Sequence, residues 1–164
     1  METNAFTAAL RTHEGNGPQK NAQIYSDPET LQAFARAAKI YRALSFYRTQ
    51  LFKEAETKGY PVVRHPVLHY QADLIVQNLQ GQFMLGSEIM VAPIFYKKAS
   101  TNKLYLPQGK WTHLWTGKSY EITQTGLWAT VNAPYGEPPV FIKSESAILT
   151  PLLKILRDEK IVNW

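Results

Sequence analysis

Four histidines, His13, His65, His69 and His113, and a few acids, Glu14, Asp27, Asp73 and Asp158 among them, are the side chains with chemistry to offer. Cysteine is absent, so disulfides and thiolate metal sites are excluded. Only His65 and His69 approach a ligand spacing. On a strand, positions i and i+4 share a face but lie about 13 Å apart along it, too far for one ion. No metal site and no cofactor are expected. Gly15-x-Gly17 lacks the strand-to-helix setting that a phosphate-cradling loop requires. Three of the acids have local uses: Asp27 precedes Pro28-Glu29 as a helix N-cap, Asp73 stands at a short helix start, and Asp158 falls in a charged tail. Glu14 remains, beside His13, and one carboxylate cannot act as both nucleophile and acid. Trp111, Trp115 and Trp128 have faces that could stack on a sugar ring. Their alternation on strand positions makes core packing the expected use.

The elements that would position these residues follow from periodicity. Residues 5–11 form a short, strand-like apolar run that feeds a polar loop reaching about Tyr25. From Asp27, apolar residues at Leu31, Phe34, Ala38, Tyr41, Leu44, Tyr47, Leu51 and Ala55 recur at three- and four-residue steps, which predicts one long helix. Lys58-Gly59 and Pro61 end it. Residues 62–70, VVRHPVLHY, read as a parallel strand, making a strand–helix–strand unit. A short helix over 72–79 follows, closed by residues 82–86. From Ile89 the pattern changes to strands at 89–94, 104–106, 111–115, 127–132, 139–142 and 147–149, broken by turns, which predicts an antiparallel sheet or sandwich with a meander at 104–120. A closing helix is expected over 151–156 and a frayed tail over 157–164.

The chain has 164 residues, enough for one ordinary core. Its net charge of +5 comes from scattered residues such as Arg36, Lys39, Arg42, Arg48 and Lys53, a solvated helix face rather than a nucleic-acid footprint. No stretch approaches the roughly 20 apolar residues of a membrane span, and the first residues lack the basic and apolar regions of a leader. A soluble protein without nucleic-acid or membrane partners is expected. The absence of thiols fits the reducing cytoplasm, the expected location.

Several spellings occur together and in order. FTAALRTH at 6–13 resembles an F-x-R-x-H segment, and RTHEGN at 11–16 extends it. GYPVVR at 59–64, QFMLG at 82–86 followed by IMVAP at 89–93, the YLPQGKWTHLWTG run at 105–117, and AP at 133–134 leading to PPVF at 138–141 complete the series. In this combination the chain resembles the C-terminal portion of glycoside hydrolase family 31, the α-glucosidase family, and RTHEGN resembles its sulfoquinovosidase-like branch. The resemblance implies a fold class of α/β plus all-β: the last βα units of a (β/α)8 barrel over residues 1–85, then an antiparallel β-sandwich domain over 86–164. Two departures are Gly81, where the family has a polar residue, and His65 between Arg64 and Pro66. The resemblance implies that His13 lines the subsite of the non-reducing sugar as a hydroxyl donor. Arg11, two positions away and on the same strand face, is expected in a buried structural pairing near the sugar.

The family retains configuration with two aspartates, both placed upstream of the F-x-R-x-H segment, so the resemblance implies that this chain carries neither and is inactive alone. The implied partners are an α-glycoside or free sugar, and the missing N-terminal barrel half if supplied separately. The alternative is a non-catalytic carbohydrate-binding or interaction module. Without the barrel, the helix stripe and the 62–68 strand are expected to leave an apolar patch that aggregates or stays molten.

Overall fold

Asp27 begins the helical part of the computed structural model, which describes residues 2–13 and 15–164. Its carboxylate accepts from the Thr30 N–H at 2.7 Å and the Thr30 hydroxyl at 2.7 Å, and Pro28 supplies the preset first φ of α1 (Pro28–Ala43). One continuous helix was the expectation from the apolar steps; the structure breaks it. Leu44, at φ −87 and ψ 5, separates α1 from α2 (Ser45–Lys58), which ends at Gly59 with the Gly59 N–H on the Ala55 carbonyl. The buried positions are Ala37, Ile40 and Ala43 on α1 and Tyr47, Arg48 and Leu51 on α2, with Leu31 left exposed. The bend keeps both sets over the same sheet. Thr49 Oγ1 donates back to the Ser45 carbonyl at 3.1 Å, a contact that favours bending.

Residues 62–70 do not form the expected parallel strand. Only β1 (Val63–Arg64) is extended, and it pairs antiparallel with β2 (Phe83–Leu85), so there is no strand–helix–strand unit here. Pro66 is the reason: it lacks an N–H for the ladder and starts a 3-10 turn, Pro66–Leu68, whose Val67 N–H is capped by His65 Nδ1. The short helix is α3 (Leu74–Gln77), with Asp73 accepting from the Ile75 and Val76 N–H groups, and the segment expected to close it is instead β2.

A six-stranded antiparallel sheet runs β1-β2-β3-β8-β5-β6, built with β3 (Ile89–Val91), β5 (Gly109–His113), β6 (Ser119–Ile122) and β8 (Val140–Lys143). β4 (Thr101–Leu106) and β7 (Leu127–Asn132) form a second, two-stranded sheet. The expected meander is therefore only half present. β5 and β6 pair as a hairpin, but β4 pairs with β7, because Leu104 and Leu106 face Trp111 across a core instead of lying beside it. Residues 147–149 were expected as a strand and instead lead into α4 (Leu149–Asp158), where Pro151 is tolerated in the first turn.

The large sheet is covered on both faces. Leu85, Ile89, Val91, Val140 and Ile142 join α1, α2, α4, Phe6 and Trp115 in one core, while Met84, Met90, Phe141 and Trp111 meet Leu104, Leu106 and Val131 of the small sheet in another. Double coverage explains the unbroken apolar spelling of β3 and β8. The helix stripe thus finds a cover within the chain itself, which corrects the expectation of a bare stripe. The tail does not fray either. Val162 is buried, Trp164 Nε1 donates to the Leu114 carbonyl at 2.9 Å, and the Trp164 ring lies over Gly117, where a Cβ would come within 2.4 Å of it.

Candidate functional site

The chain leading to Arg11 and His13 is fixed from below by apolar and aromatic contacts. Residues expected as strand form a 3-10 turn, Glu2–Phe6, followed by irregular backbone. Ala5 and Phe6 are buried, and the Phe6 ring meets Trp115 edge-on at 6.3 Å. Arg48, buried in α2, lays its guanidinium 3.5 Å from the Tyr41 ring centroid and donates from Nη1 to the Ala5 carbonyl at 3.4 Å. Tyr41 donates its hydroxyl hydrogen to the Ala8 carbonyl at 3.0 Å, and Thr7 Oγ1 donates to the Ala9 carbonyl at 2.9 Å. Residues 5–9 are therefore anchored to the rest of the chain at three points, by Trp115, Arg48 and Tyr41.

Arg11, Thr12 and His13 follow this anchor and are exposed. Arg11 does not sit in the expected buried pairing, and the two residues do not share a strand face, since no strand forms there. What the structure brings together is an anchored stem and, at its end, two exposed donors. Glu14 lies outside the described residues. Further along, the Asn21 side-chain amide donates to the Gly15 carbonyl at 3.1 Å and draws the far side of the loop back.

The other acids have the occupations their local sequence indicates. Asp27 caps α1, and the Thr30 N–H and hydroxyl hold its carboxyl below the usual value. Asp73 caps α3 and also accepts from the Tyr105 hydroxyl at 2.7 Å. Asp158 pairs with Lys154 at 3.3 Å. Neither His65 nor His69 is on a strand, and each has its own partner: His65 Nε2 the Leu79 carbonyl at 2.7 Å, His69 Nε2 the Arg64 Nη1 at 3.3 Å. Among the described residues no group of three or more metal-ligating side chains converges. Of the tryptophans, Trp111 and Trp115 are in the core. Trp128 is 46 % exposed, because β7 turns Ala129 and Val131 inward and leaves its neighbours on the outer face.

Sequence reasoning missed one polar cluster. Arg64 is 2 % exposed, pairs with Glu54 of α2, donates from Nε to the Pro61 carbonyl at 2.6 Å and lies 4.9 Å from the Tyr60 ring. Since Arg64 is a donor only, His69 Nε2 must accept, which puts the imidazole proton on Nδ1. Burial first, then Arg64, lowers the His69 pKa from its ordinary value, which favours the neutral ring. The Glu54 to Lys58 step, placed just before the Gly59–Pro61 turn, was the available signal for an acid folding back on Arg64.

The match to known proteins agrees with this architecture. A family description, glycosyl hydrolase family 31 C-terminal domain, matches residues 59–148. The sulfoquinovosidase of Escherichia coli (strain K12) is 41 % identical over 142 residues, covering 87 % of this chain and 20 % of that protein. A GH31 family sulfoquinovosidase from E. rectale, solved in complex with an aza-sugar inhibitor, superposes with a TM-score of 0.88 at 34 % identity over 99 % of this chain and 23 % of its own. A GH31 dextranase from Flavobacterium johnsoniae, solved with isomaltotriose, gives a TM-score of 0.68 at 32 % identity over 74 % of this chain and 15 % of its own. The chain thus spans about a fifth of the length of the curated sulfoquinovosidase it matches. With its sheets matched by the family's own C-terminal domain over more than half of its residues, this chain belongs to glycosyl hydrolase family 31.

Proposed function

We propose that this chain is the C-terminal part of a retaining α-glycosidase, of sulfoquinovosidase or α-glucosidase type, that hydrolyses O-glycosidic bonds of a sugar substrate in the cytoplasm. The observation that carries the reading is the likeness to a sulfoquinovosidase along nearly the whole chain, including the anchored stem that presents Arg11 and His13. In this reading the residues before β1 are the end of the catalytic barrel, and the sandwich domain begins at β1 rather than at residue 86, because β1 and β2 belong to the six-stranded sheet on which α1 and α2 pack. His13 donates to a hydroxyl of the non-reducing sugar, and Arg11, exposed beside it, contacts the same sugar.

Retention of configuration needs a nucleophilic carboxylate and an acid/base carboxylate about 5–5.5 Å apart. The reading, following the family resemblance, assigns both steps to carboxylates outside this chain; within it Asp27, Asp73 and Asp158 are engaged as helix caps or ion pairs. The chain alone is therefore expected not to turn over a nitrophenyl α-glucoside or a nitrophenyl α-sulfoquinovoside. Mixing it with a separately expressed N-terminal barrel half should restore turnover. In that complemented enzyme His13→Ala should lower kcat/KM about tenfold through a lost transition-state contact. Turnover by the purified chain alone, surviving further purification, would overturn the assignment. A second reading, a carbohydrate-binding module without chemistry, is favoured by one observation: both faces of the large sheet are covered from within the chain. A stable chain that no barrel half complements would favour it.

A further inference from the structure

A cleft of about 600 Å³ opens between α3, the β4–β5 turn and the β6–β7 turn, with residues 69–75 on one side and residues from 105 to 125 on the other. Its floor is Tyr105, fully buried and held at three points. The Gln82 carboxamide clamps the Tyr105 main chain, donating to its carbonyl at 2.7 Å and accepting from its N–H at 2.9 Å, and the Tyr105 hydroxyl donates to Asp73 Oδ2 at 2.7 Å. Asp73 Oδ1 takes the Ile75 and Val76 N–H groups at 2.9 and 3.3 Å. One carboxylate oxygen is thus filled by the helix cap, while Oδ2 keeps one lone pair unused, in a fixed position at the cleft wall.

Three glutamines complete the polar wall. Gln71 and Gln124 are exposed, and Gln108 donates from Nε2 to the Thr123 carbonyl at 3.1 Å, which leaves its oxygen free to accept. Each exposed carboxamide offers a donor and an acceptor side by side, the pair that a vicinal diol requires. The charge is equally informative. Among the described residues no lysine or arginine lines the cleft, and the histidine at its edge, His69, already has its Nε2 engaged by Arg64, so no cation of the cleft wall is placed to compensate a phosphate or a sulfonate. Leu74, 73 % exposed, and Ile75 add an aliphatic flank beside this wall. A surface leucine beside carboxamides and one anchored carboxylate suits a ligand whose edges are hydroxyls and whose faces are C–H.

We propose that this cleft binds a neutral oligosaccharide, with Asp73, Gln71, Gln108 and Gln124 taking hydroxyl groups and Leu74 the C–H face of a ring. The proposal rests on the glycosidase reading only for the choice of an α-linked glucan as probe. Titration of the 164-residue chain with isomaltotriose, followed by backbone amide shifts, should move Gln71 to Ile75 and Gln124 to Thr125 with a Kd in the millimolar range. Gln124→Ala, a surface change, should weaken binding about tenfold at unchanged Tm, as should Gln71→Ala on the opposite wall. Absence of shifts at roughly ten times the expected Kd would overturn the proposal, as would shifts confined to other surfaces or affinities unchanged in both variants. Inorganic sulfate titrated in parallel should leave these amides still, and sulfate shifts in the cleft would overturn the assignment to neutral sugars. In the complemented enzyme the two readings separate: hydrolysis of a nitrophenyl α-glycoside without isomaltotriose shifts in the cleft overturns the cleft alone, and cleft shifts without any hydrolysis sustain the cleft and count against the catalytic reading.

Discussion

His113, on β5, is 4 % exposed, with Nδ1 2.8 Å from Thr116 Oγ1 and the ring 4.9 Å from Phe141. Its Nε2 is buried and has no partner among the described residues. Burial, reinforced by Lys118, pushes its pKa down to about 4 from the ordinary 6.5. In the unfolded chain the ring takes up a proton as pH falls through 6.5, whereas the folded chain resists until about 4, so the unfolded state binds more protons across that window. The stability this neutral ring contributes is therefore present above pH 6.5 and is lost on descending towards 4. The full shift corresponds to roughly 3 kcal/mol. Urea midpoints measured at pH 7 and pH 4.5 should show His113→Asn losing less stability on acidification than the parent, because the variant has nothing to titrate at this site. Equal slopes in the two proteins would refute it.

Between elements, the tightest meeting is that of α2 with the turn from β2 to β3. Tyr47 donates its hydroxyl hydrogen to the Leu85 carbonyl at 3.2 Å and accepts from the Glu88 N–H at 3.2 Å, so one phenol closes two backbone groups of the turn. The approach is possible only because Gly86, at φ +59, has no Cβ. One built there would lie 2.1 Å from Tyr47 Oη and 2.5 Å from Leu51 Cδ2. Gly86→Ala combines backbone strain with that overlap and is expected to cost about 3 kcal/mol, read as a lower urea midpoint. At the other end of the helix pair, Asp27→Ala removes a cap and should cost about 1 kcal/mol. A Gly86→Ala loss no larger than the Asp27→Ala loss would show that the turn can move away from Tyr47, and the close-packing account would fail.

At the scale of the molecule, the helix pair and the large sheet share one core that includes Phe6, Ile40, Leu51, Val91, Ile142, Leu156 and Val162. A stripe that buries this much surface on its own sheet has no reason to be molten. Hydrogen exchange should give the amides of α1, α2, β3 and β8 a common opening free energy, since exposing either partner exposes the other. Protection in the sheet with none in the helices would instead restore the expectation of an unstable N-terminal half. Exposed Tyr25, Leu31, Phe95, Tyr96 and Tyr135 remain as apolar surface outside this shared core.

The sequence by itself determined the features that depend on neighbours along the chain. Asp27-Pro28 and Asp73 are caps because each side chain reaches an N–H two or three residues on; the alternation of β7 was legible but its inward face was not, since Trp128, expected in the core, is exposed and Ala129 and Val131 lie inside. The motif order was equally legible and led to the right family. Contacts between distant segments were decided only by the tertiary structure. Whether β4 pairs with β5 or β7 depends on which faces must be buried together, and Leu104 opposite Trp111 sends β4 to the other sheet. The same holds for the stem of the candidate site, where Ala5 and Ala8 are held by side chains 43 and 33 residues later. Periodicity has no access to such partners, because hydrogen bonds to Arg48 and Tyr41 fix a backbone that its own side chains leave free to be strand or turn.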